Sequence, residues 1–303
     1  MGCRRKRLRI TLLPVLAIGL LFAGGFLGQQ IWRRINQDIF NHPRGDVTGR
    51  TPRSLGLDFH EVSFETDNGI TLKGWYIAGA EADNADCIIL APGKTENRWD
   101  TLQYAPFLVQ SGFNVLLFDP RSTGLSQGNR YGFGYFESRD LQHAIDYLAD
   151  DKGIKDVGLL GRSAGATAVL LAGLRDDRVD AVVADSPYAN LKLASKDFGD
   201  YSSDPTLQFF FPLYMFSAKL ALGVDIYRKT NILKKIGKME TPAFFIHGKE
   251  DTAVGYQNSK LLFERKQQPK RLWLVPDTDH VAARKNKPEK YSSKVAGFFR
   301  QHL

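Results

Sequence analysis

The chain has 303 residues, 43% of them hydrophobic and 24% charged, and this ordinary globular composition with only two cysteines excludes a small disulfide-stapled scaffold. Its net charge of +8 lies almost entirely in residues 1–34, which contain seven Lys and Arg residues and no Asp or Glu. The other residues carry 34 basic and 33 acidic side chains, and this near-neutral balance argues against a nucleic-acid-binding protein.

The first predicted element is a transmembrane helix over residues 10–32, a range without any charged side chain. Its most apolar part, residues 10–28, would span about 28 Å as a helix, close to the roughly 30 Å hydrocarbon core of a bilayer. Five basic residues precede the helix, and only Arg33 and Arg34 follow it directly. This asymmetry predicts a cytoplasmic tail at residues 1–9 and a single-pass protein of the cell membrane with an extracytoplasmic body.

A cleaved signal peptide is the alternative, because it would also have a basic start and an apolar core. Ala23, Gly24 and Gly25 offer small residues for cleavage. The apolar stretch is longer than the core of a typical signal peptide, so the uncleaved anchor is preferred.

A polar linker is predicted for residues 33–56, which include two prolines and three glycines. A single domain over residues 57–303 follows. It opens with two strands, 59–65 and 70–77, on either side of Asp67-Asn68-Gly69, which is typical of a hairpin turn.

The rest of the domain alternates short apolar runs with helix-length amphipathic segments. The runs suit strands buried on both faces of a parallel sheet, and they lie at 87–90, 115–118, 157–160, 181–184, 243–246 and 272–275. The helical segments lie at 99–110, 138–149, 164–174, 259–266 and 290–301. This alternation predicts an α/β fold with helices on both faces of the sheet. One insertion, at about 189–238, is rich in Phe, Tyr and Leu and is interpreted as a small helical lid.

A candidate nucleophile stands in Gly161-Arg162-Ser163-Ala164-Gly165, between a predicted strand and a predicted helix. A nucleophilic serine must project from a tight strand-to-helix turn, and small neighbours such as Gly161 and Gly165 permit the close approach of the backbone. Ser163 would also lie near a helix N-terminus, whose free amides favour developing negative charge. The alternative without a catalytic role is a glycine-rich turn with a solvent-facing serine.

Serine needs an adjacent base, and the base needs a carboxylate to hold its tautomer. Asp251 follows the run 243–246, and His280 follows the run 272–275. The carboxyl ends of parallel strands meet at one edge of a sheet, so both residues can reach Ser163 there. The five other histidines receive structural interpretations: His247 packs at a strand end, and the rest are structural or solvated, namely His42, His60, His143 and His302.

Over residues 59–302, the chain resembles the α/β-hydrolase superfamily. Within that superfamily it is similar to the lid-bearing membrane-anchored hydrolases of the serine aminopeptidase-like branch. The motif His-Gly-x-x-Asp-x-x-Val is matched by His247, Gly248, Asp251 and Val254. The motif Asp-x-Arg-x-x-Gly-x-Ser is matched by Asp119, Arg121, Gly124 and Ser126. The resemblance implies that Asp251, rather than its neighbour Glu250, is the acid of a Ser-His-Asp triad.

An oxyanion hole needs two backbone amides aimed at the substrate oxygen. The amide of Ala164 is one expected donor, since it directly follows the nucleophile. The other is expected from Lys94, in the loop after the run 87–90. Relatives commonly have His-Gly in this loop, whereas this chain has Pro92-Gly93.

The predicted function is hydrolysis of a carboxylic ester or thioester through an acyl-enzyme, on a small-molecule or lipid-like acyl substrate. The same triad would serve a peptidase or amidase, and a non-catalytic membrane-tethered scaffold is the third hypothesis. No cofactor is expected, and no cluster of residues has the spacing of metal ligands.

Overall fold

The computed structural model describes the backbone of residues 24–47, 49–79, 86–197 and 205–303. Side chains are described up to residue 196 in the third range and from residue 208 in the fourth. The predicted basic tail and residues 10–23 of the predicted anchor lie outside these ranges. Within the described residues, no helix is long and apolar enough to span a bilayer.

An eight-stranded sheet forms the centre of the protein, in the order β1-β2-β4-β3-β5-β6-β7-β8. The pairs β1/β2 and β2/β4 are antiparallel, and the other five pairs are parallel. The strands are β1 His60–Glu65, β2 Thr71–Ile77, β3 Cys87–Ala91, β4 Asn114–Asp119, β5 Val157–Arg162, β6 Val179–Asp185, β7 Ala243–Gly248 and β8 Lys270–Val275. Each of the six apolar runs lies inside one of these strands, and the predicted hairpin forms β1 and β2, so the mostly parallel sheet is confirmed.

Eleven α-helices are numbered here in chain order among the described residues. They are α1 (residues 24–35), α2 Arg98–Thr101, α3 Ala105–Gln110, α4 Glu137–Lys152, α5 Ala164–Gly173, α6 Leu191–Asp197, α7 Pro205–Leu222, α8 Ile226–Lys229, α9 Gln257–Arg265, α10 Ala283–Asn286 and α11 Pro288–His302. The insertion predicted at 189–238 contains α6, α7 and α8, which lie between β6 and β7.

The two faces of the sheet carry separate apolar cores. Neighbouring residues of one strand point to opposite faces, so Leu159 of β5 belongs to one core and Leu160 to the other. Both side chains are fully buried, and burial of a leucine stabilises the fold by about 1.5–3 kcal/mol. Helix α5 lies against the first core, and none of its residues from Ala164 to Gly173 is exposed.

A third apolar cluster connects the N-terminal part of the chain to the insertion. Ile31, Ile35 and Ile39 are buried in this cluster, and Tyr214 and Met215 of α7 belong to it as well. The segment predicted to be a linker therefore starts with folded structure, because the end of α1 and a π-helical turn at Asn36–Phe40 continue into residues 33–56. Ile31 also lies inside the range predicted to be the anchor.

The predicted helix at 99–110 is wrong as one continuous element. The chain forms α2, a 3-10 turn at Leu102–Tyr104 and then α3. Pro106 lies in the first turn of α3, where its missing N–H costs no intrahelical hydrogen bond. In the interior of a longer helix, a proline removes a backbone hydrogen bond and crowds the preceding turn.

Candidate active site

Ser163 stands alone between β5 and α5 in a strained backbone conformation. Its φ is +53° and its ψ is −120°, a region that residues other than glycine adopt only where the surroundings enforce it. Such a turn lifts the side chain away from the strand and the helix. The predicted strand-turn-helix context of Ser163 is therefore present.

The glycines on either side make this turn possible, because the backbone passes too close for any side chain. A Cβ on Gly161 would lie 2.3 Å from the carbonyl oxygen of Gly165. A Cβ on Gly165 would lie 2.3 Å from the carbonyl oxygen of Pro92. Gly165 therefore lets α5 touch the loop after β3, which carries one of the predicted oxyanion donors.

The three predicted triad residues lie in one chain of hydrogen bonds. His280 Nε2 is 2.9 Å from Ser163 Oγ, and His280 Nδ1 is 2.7 Å from Asp251 Oδ2. Ser163 follows β5, Asp251 follows β7, and His280 follows β8. The loops after β7 and β8 meet directly, since the amide of Glu250 donates to the carbonyl of Thr278 over 3.0 Å.

Asp251 is built to remain ionised. Its side chain is fully buried, and burial alone would raise its pKa. Hydrogen bonds from His247, His280 and the amide of Val254 outweigh this effect and hold the pKa of Asp251 well below its usual range. An ionised carboxylate beside Nδ1 leaves Nε2 as the nitrogen that can accept the serine proton.

The two predicted oxyanion donors, the amides of Lys94 and Ala164, have no hydrogen-bond partner among the described residues. The amide of Gly93 is already used, because it donates to Glu96 Oε2 over 2.6 Å. Gly93 also lies beside the nucleophile: a Cβ there would be 3.2 Å from the Cβ of Ser163. The amides of Lys94 and Ala164 therefore remain available to a substrate oxygen, as the predicted oxyanion hole requires.

Comparisons with known proteins agree with this geometry. Residues 82–217 match the sequence model of the family described as serine aminopeptidase, S33. The chain is 31% identical to the uncharacterized protein YqkD of Bacillus subtilis over 293 residues, 94% of this chain and 92% of that protein. The uncharacterized protein YfhR of Escherichia coli is 28% identical over 260 residues, 82% of both chains. Among solved structures, the Pyrococcus furiosus esterase Pf2001 superposes with a TM-score of 0.72 at 26% identity, covering 86% of this chain and 97% of its own.

The chain belongs to the α/β-hydrolase superfamily. The match to the family model includes Ser163 and the loop after β3 but ends before Asp251 and His280. Because YqkD is similar over nearly its whole length, this hydrolase and YqkD share one family.

A partly buried ion pair supports the loop of residues 92–97, which carries the predicted donor Lys94 and is called the oxyanion loop below. Glu96 Oε1 lies 3.0 Å from Arg162 Nη2, and Glu96 Oε2 accepts the amide of Gly93. Burial raises the pKa of Glu96, although Arg162 opposes the shift. Arg162, the residue before Ser163, therefore helps to hold the loop that lies beside Ser163.

Asp119 and Arg121 organise the next loop of the hydrolase. Asp119 accepts hydrogen bonds from the amides of Arg98 and Leu125, over 2.9 and 2.8 Å. The guanidinium of Arg121 pairs with Asp140 of α4 over 2.5 Å. These contacts explain the role of the second motif as a set of loop anchors.

The aromatic insertion has two different faces. Phe211, Tyr214 and Met215 are buried against the hydrolase body. Phe209 and Phe216 are 77% and 56% exposed, and they line a groove of about 480 Å³ between α6 and α7. The insertion therefore has both a packing face and an apolar outer surface.

Sequence reasoning missed several residues around the site. His247 contacts the predicted triad acid, since its Nε2 lies 3.0 Å from Asp251 Oδ2. Its place in the shared motif was the available signal. Asp38 and His42 contact the oxyanion loop from the N-terminal segment, which is the described chain ahead of residue 57. No local sequence pattern indicated these contacts. Among the described residues, no group of three His, Cys, Asp or Glu side chains converges as metal ligands would.

Proposed function

We propose that the protein is a serine hydrolase that cleaves a carboxylic ester or thioester through an acyl-enzyme on Ser163. The observation that carries the proposal is the chain of hydrogen bonds from Asp251 through His280 to Ser163 Oγ. The unpaired amides of Lys94 and Ala164 supply the remaining requirement of acyl transfer, which is stabilisation of an oxyanion.

In the first half-reaction, Ser163 Oγ attacks the carbonyl carbon while His280 Nε2 takes the hydroxyl proton. The carbonyl oxygen becomes an oxyanion held by the amides of Lys94 and Ala164. Collapse of this intermediate breaks the bond to the leaving group, which receives the proton from His280. The products are an acyl ester on Ser163 and a free alcohol or thiol.

In the second half-reaction, His280 deprotonates a water molecule that attacks the acyl carbon. The same two amides hold the second oxyanion. Collapse then releases a carboxylic acid and returns the proton to Ser163. Asp251 stays ionised throughout, because the hydrogen bonds that lower its pKa persist while the imidazole is charged.

An ester or thioester is preferred over a peptide as the substrate. The observation that supports this preference is that Pf2001, which is 26% identical and covers 86% of this chain, is an esterase. A peptidase or amidase is the second candidate, because the matching family model is described as a serine aminopeptidase. A non-catalytic scaffold would leave Ser163 unreactive.

The protein is further proposed to be a single-pass membrane protein with an extracytoplasmic catalytic domain. The apolar stretch that starts at residue 10 runs into α1, where Phe26 and Trp32 are 64% and 56% exposed. Exposed aromatic residues at the end of such a stretch suit a membrane interface. A reporter fused after Leu303 tests the topology, and activity of a cytoplasmic reporter would overturn it.

Labelling with a fluorophosphonate probe tests the catalytic proposal. The purified full chain should form one covalent adduct, which peptide mass mapping locates at Ser163. The Ser163→Ala variant should not be labelled, and it should lose hydrolysis of p-nitrophenyl acyl esters. An unlabelled wild type that is folded by circular dichroism would favour the scaffold.

A screen of acyl p-nitrophenyl esters, acyl thioesters and aminoacyl p-nitroanilides then separates the two enzyme classes. The ester or thioester should have the higher kcat/KM. A preference for the anilide would replace the proposal with the peptidase.

A further inference from the structure

The chain ahead of the hydrolase domain lies against the outside of the oxyanion loop. We propose that His42 and Asp38, in this N-terminal segment, are positioning residues that hold the amide of Lys94 in place for catalysis. The inference rests on the proposed function, since it assigns these residues to the oxyanion hole of that reaction. It adds to the active site a segment that the triad does not include.

His42 holds the peptide plane that follows Lys94. Its Nε2 accepts the amide of Thr95 over 3.1 Å. The imidazole is 6% exposed and stacks on the ring of Tyr131, with centroids 3.9 Å apart and planes 6° from parallel. Its position is therefore fixed, and burial lowers its pKa to about 4, so Nε2 stays unprotonated and able to accept.

Thr95 needs this support because its backbone is strained. Its φ is +62°, a conformation that a β-branched residue adopts only where its surroundings enforce it. Without the bond from His42, the peptide between Lys94 and Thr95 could rotate towards an unstrained conformation. That rotation would also disturb the neighbouring amide of Lys94, which is the oxyanion donor of the proposed reaction.

Asp38 holds Lys94 by its side chain. Lys94 Nζ lies 3.1 Å from Asp38 Oδ1, and Arg34 Nε lies 3.0 Å from Asp38 Oδ2. Burial alone would raise the pKa of Asp38, but the two cations lower it. Tyr214 of α7 donates to the same carboxylate over 3.1 Å, so Asp38 joins the oxyanion loop to the insertion.

The backbone of the N-terminal segment fits the loop closely enough to require glycine. Gly45 has a φ of +75°, and a Cβ there would lie 2.8 Å from both the carbonyl oxygen of Thr95 and the side-chain nitrogen of Asn97. Asn97 in turn donates to the carbonyls of Arg44 and Asp46. The contact is thus a continuous interface rather than one isolated hydrogen bond.

The oxyanion loop is therefore held from two sides. Glu96 and Arg162 hold it from the sheet, next to the nucleophile, while His42 and Asp38 hold it from the N-terminal segment. Removal of the outer support leaves the hydrogen bonds of Ser163, His280 and Asp251 intact. It should therefore slow the chemical step without weakening the binding of the substrate.

The first experiment compares His42→Ala with His42→Gln in the detergent-solubilised full chain, with a p-nitrophenyl ester as substrate. His42→Ala should lower kcat about 10- to 100-fold, as misplacement of a catalytic group does, and should change KM less than threefold. His42→Gln can present its side-chain oxygen near the position of Nε2, so most of kcat should return. Equal losses in the two variants, or a loss confined to KM, would overturn the inference.

The second experiment tests Asp38 through its partner. Asp38→Asn and Lys94→Met each break the same contact and leave the amide of Lys94 in the chain. Each should lower kcat several-fold, and the double variant should lose no more than either single variant, because residues that act through one contact are not additive. Additive losses would show that Asp38 does not act through Lys94.

Asp146→Asn is the matched control, since Asp146 pairs with Arg178 over 2.7 Å at the protein surface, outside the site described above. Its kcat should equal that of the wild type. An unreactive wild type would refute the proposed function and this inference with it. A reactive wild type whose kcat survives both His42→Ala and Asp38→Asn would refute the inference alone.

Discussion

The inner and outer halves of the active site are built in different ways. The inner half consists of Ser163, Asp251 and His280, each in the turn or loop that follows a parallel strand of the sheet. The outer half consists of the oxyanion loop and the N-terminal segment. They meet through contacts between residues more than fifty positions apart, such as the hydrogen bond from the amide of Thr95 to the side chain of His42. The sheet fixes the first half, whereas tertiary contacts fix the second.

Because the two halves are held differently, we expect substitutions in them to affect turnover to different degrees. A nucleophile and its base must lie within hydrogen-bond distance, and rigid strand ends provide that precision. The proposed oxyanion donor, the amide of Lys94, lies in a loop whose internal contacts include the bond from the amide of Gly93 to Glu96. Changes to the inner half should therefore abolish turnover, and changes to the outer half should reduce turnover or stability by smaller amounts.

The largest effect is expected for Asp251→Asn. The variant keeps the size of the side chain but removes the charge that stabilises the imidazolium, and it can present an amide donor to Nδ1. We expect kcat to fall about 10⁴-fold, as in serine hydrolases with the same change. Steady-state kinetics on a p-nitrophenyl ester measure the loss.

Asp279→Asn is the control for that change, because Asp279 is an acid of the same site region. Its carboxylate accepts the amides of His280 and Thr252 but does not touch the imidazole nitrogens. A loss under tenfold is expected. Equal losses in the two variants would mean that the loop, rather than the charge of Asp251, controls turnover.

Ile39→Ala should have the next largest effect, on stability rather than chemistry. Ile39 is fully buried in the cluster that joins the N-terminal segment to α7, and removal of such a side chain costs about 2–5 kcal/mol. Denaturant unfolding in mild detergent should show this loss in the free energy of unfolding. A loss below about 0.5 kcal/mol, the range of surface substitutions, would mean that the segment is not part of the cooperative fold.

Leu220→Ala is the matched control for Ile39→Ala. Leu220 is an aliphatic residue of α7 that is 68% exposed. Its truncation should leave the free energy of unfolding within about 0.5 kcal/mol of the wild type.

The sequence predicts the inner half well for a physical reason. Strands buried on both faces must be continuously apolar, so the run at 157–160 identifies β5, which spans Val157–Arg162. Gly161 and Gly165 identify the elbow because no side chain fits there. The position of each triad residue then follows from the rule that parallel strands end at one edge.

The outer half was harder to predict because its contacts carry little local pattern. The polar residues, prolines and glycines of residues 33–56 predicted a linker. The signal that could have corrected this was the spacing of Ile31, Ile35 and Ile39, which places three apolar side chains on one face of a helix. No comparable signal pointed to Asp38 or His42, because their partners lie far away in the sequence.

The smallest expected effect is a dependence of stability on pH that comes from His42. Burial, aided by the charge of Lys94, lowers the pKa of His42 in the folded protein from its ordinary 6.5 to about 4. As the pH falls below 6.5, the unfolded chain binds a proton that the folded protein refuses, so the wild type loses stability. The loss between pH 7.5 and pH 5 should be about 2 kcal/mol.

His42→Gln has no such proton to bind, and every other group titrates in both proteins. The difference in unfolding free energy between wild type and variant should therefore shift in favour of the variant by that amount as the pH falls. A difference that stays constant with pH would show that the imidazole of His42 is accessible to protons in the folded protein, and the rigid contact with the oxyanion loop would then have to be abandoned.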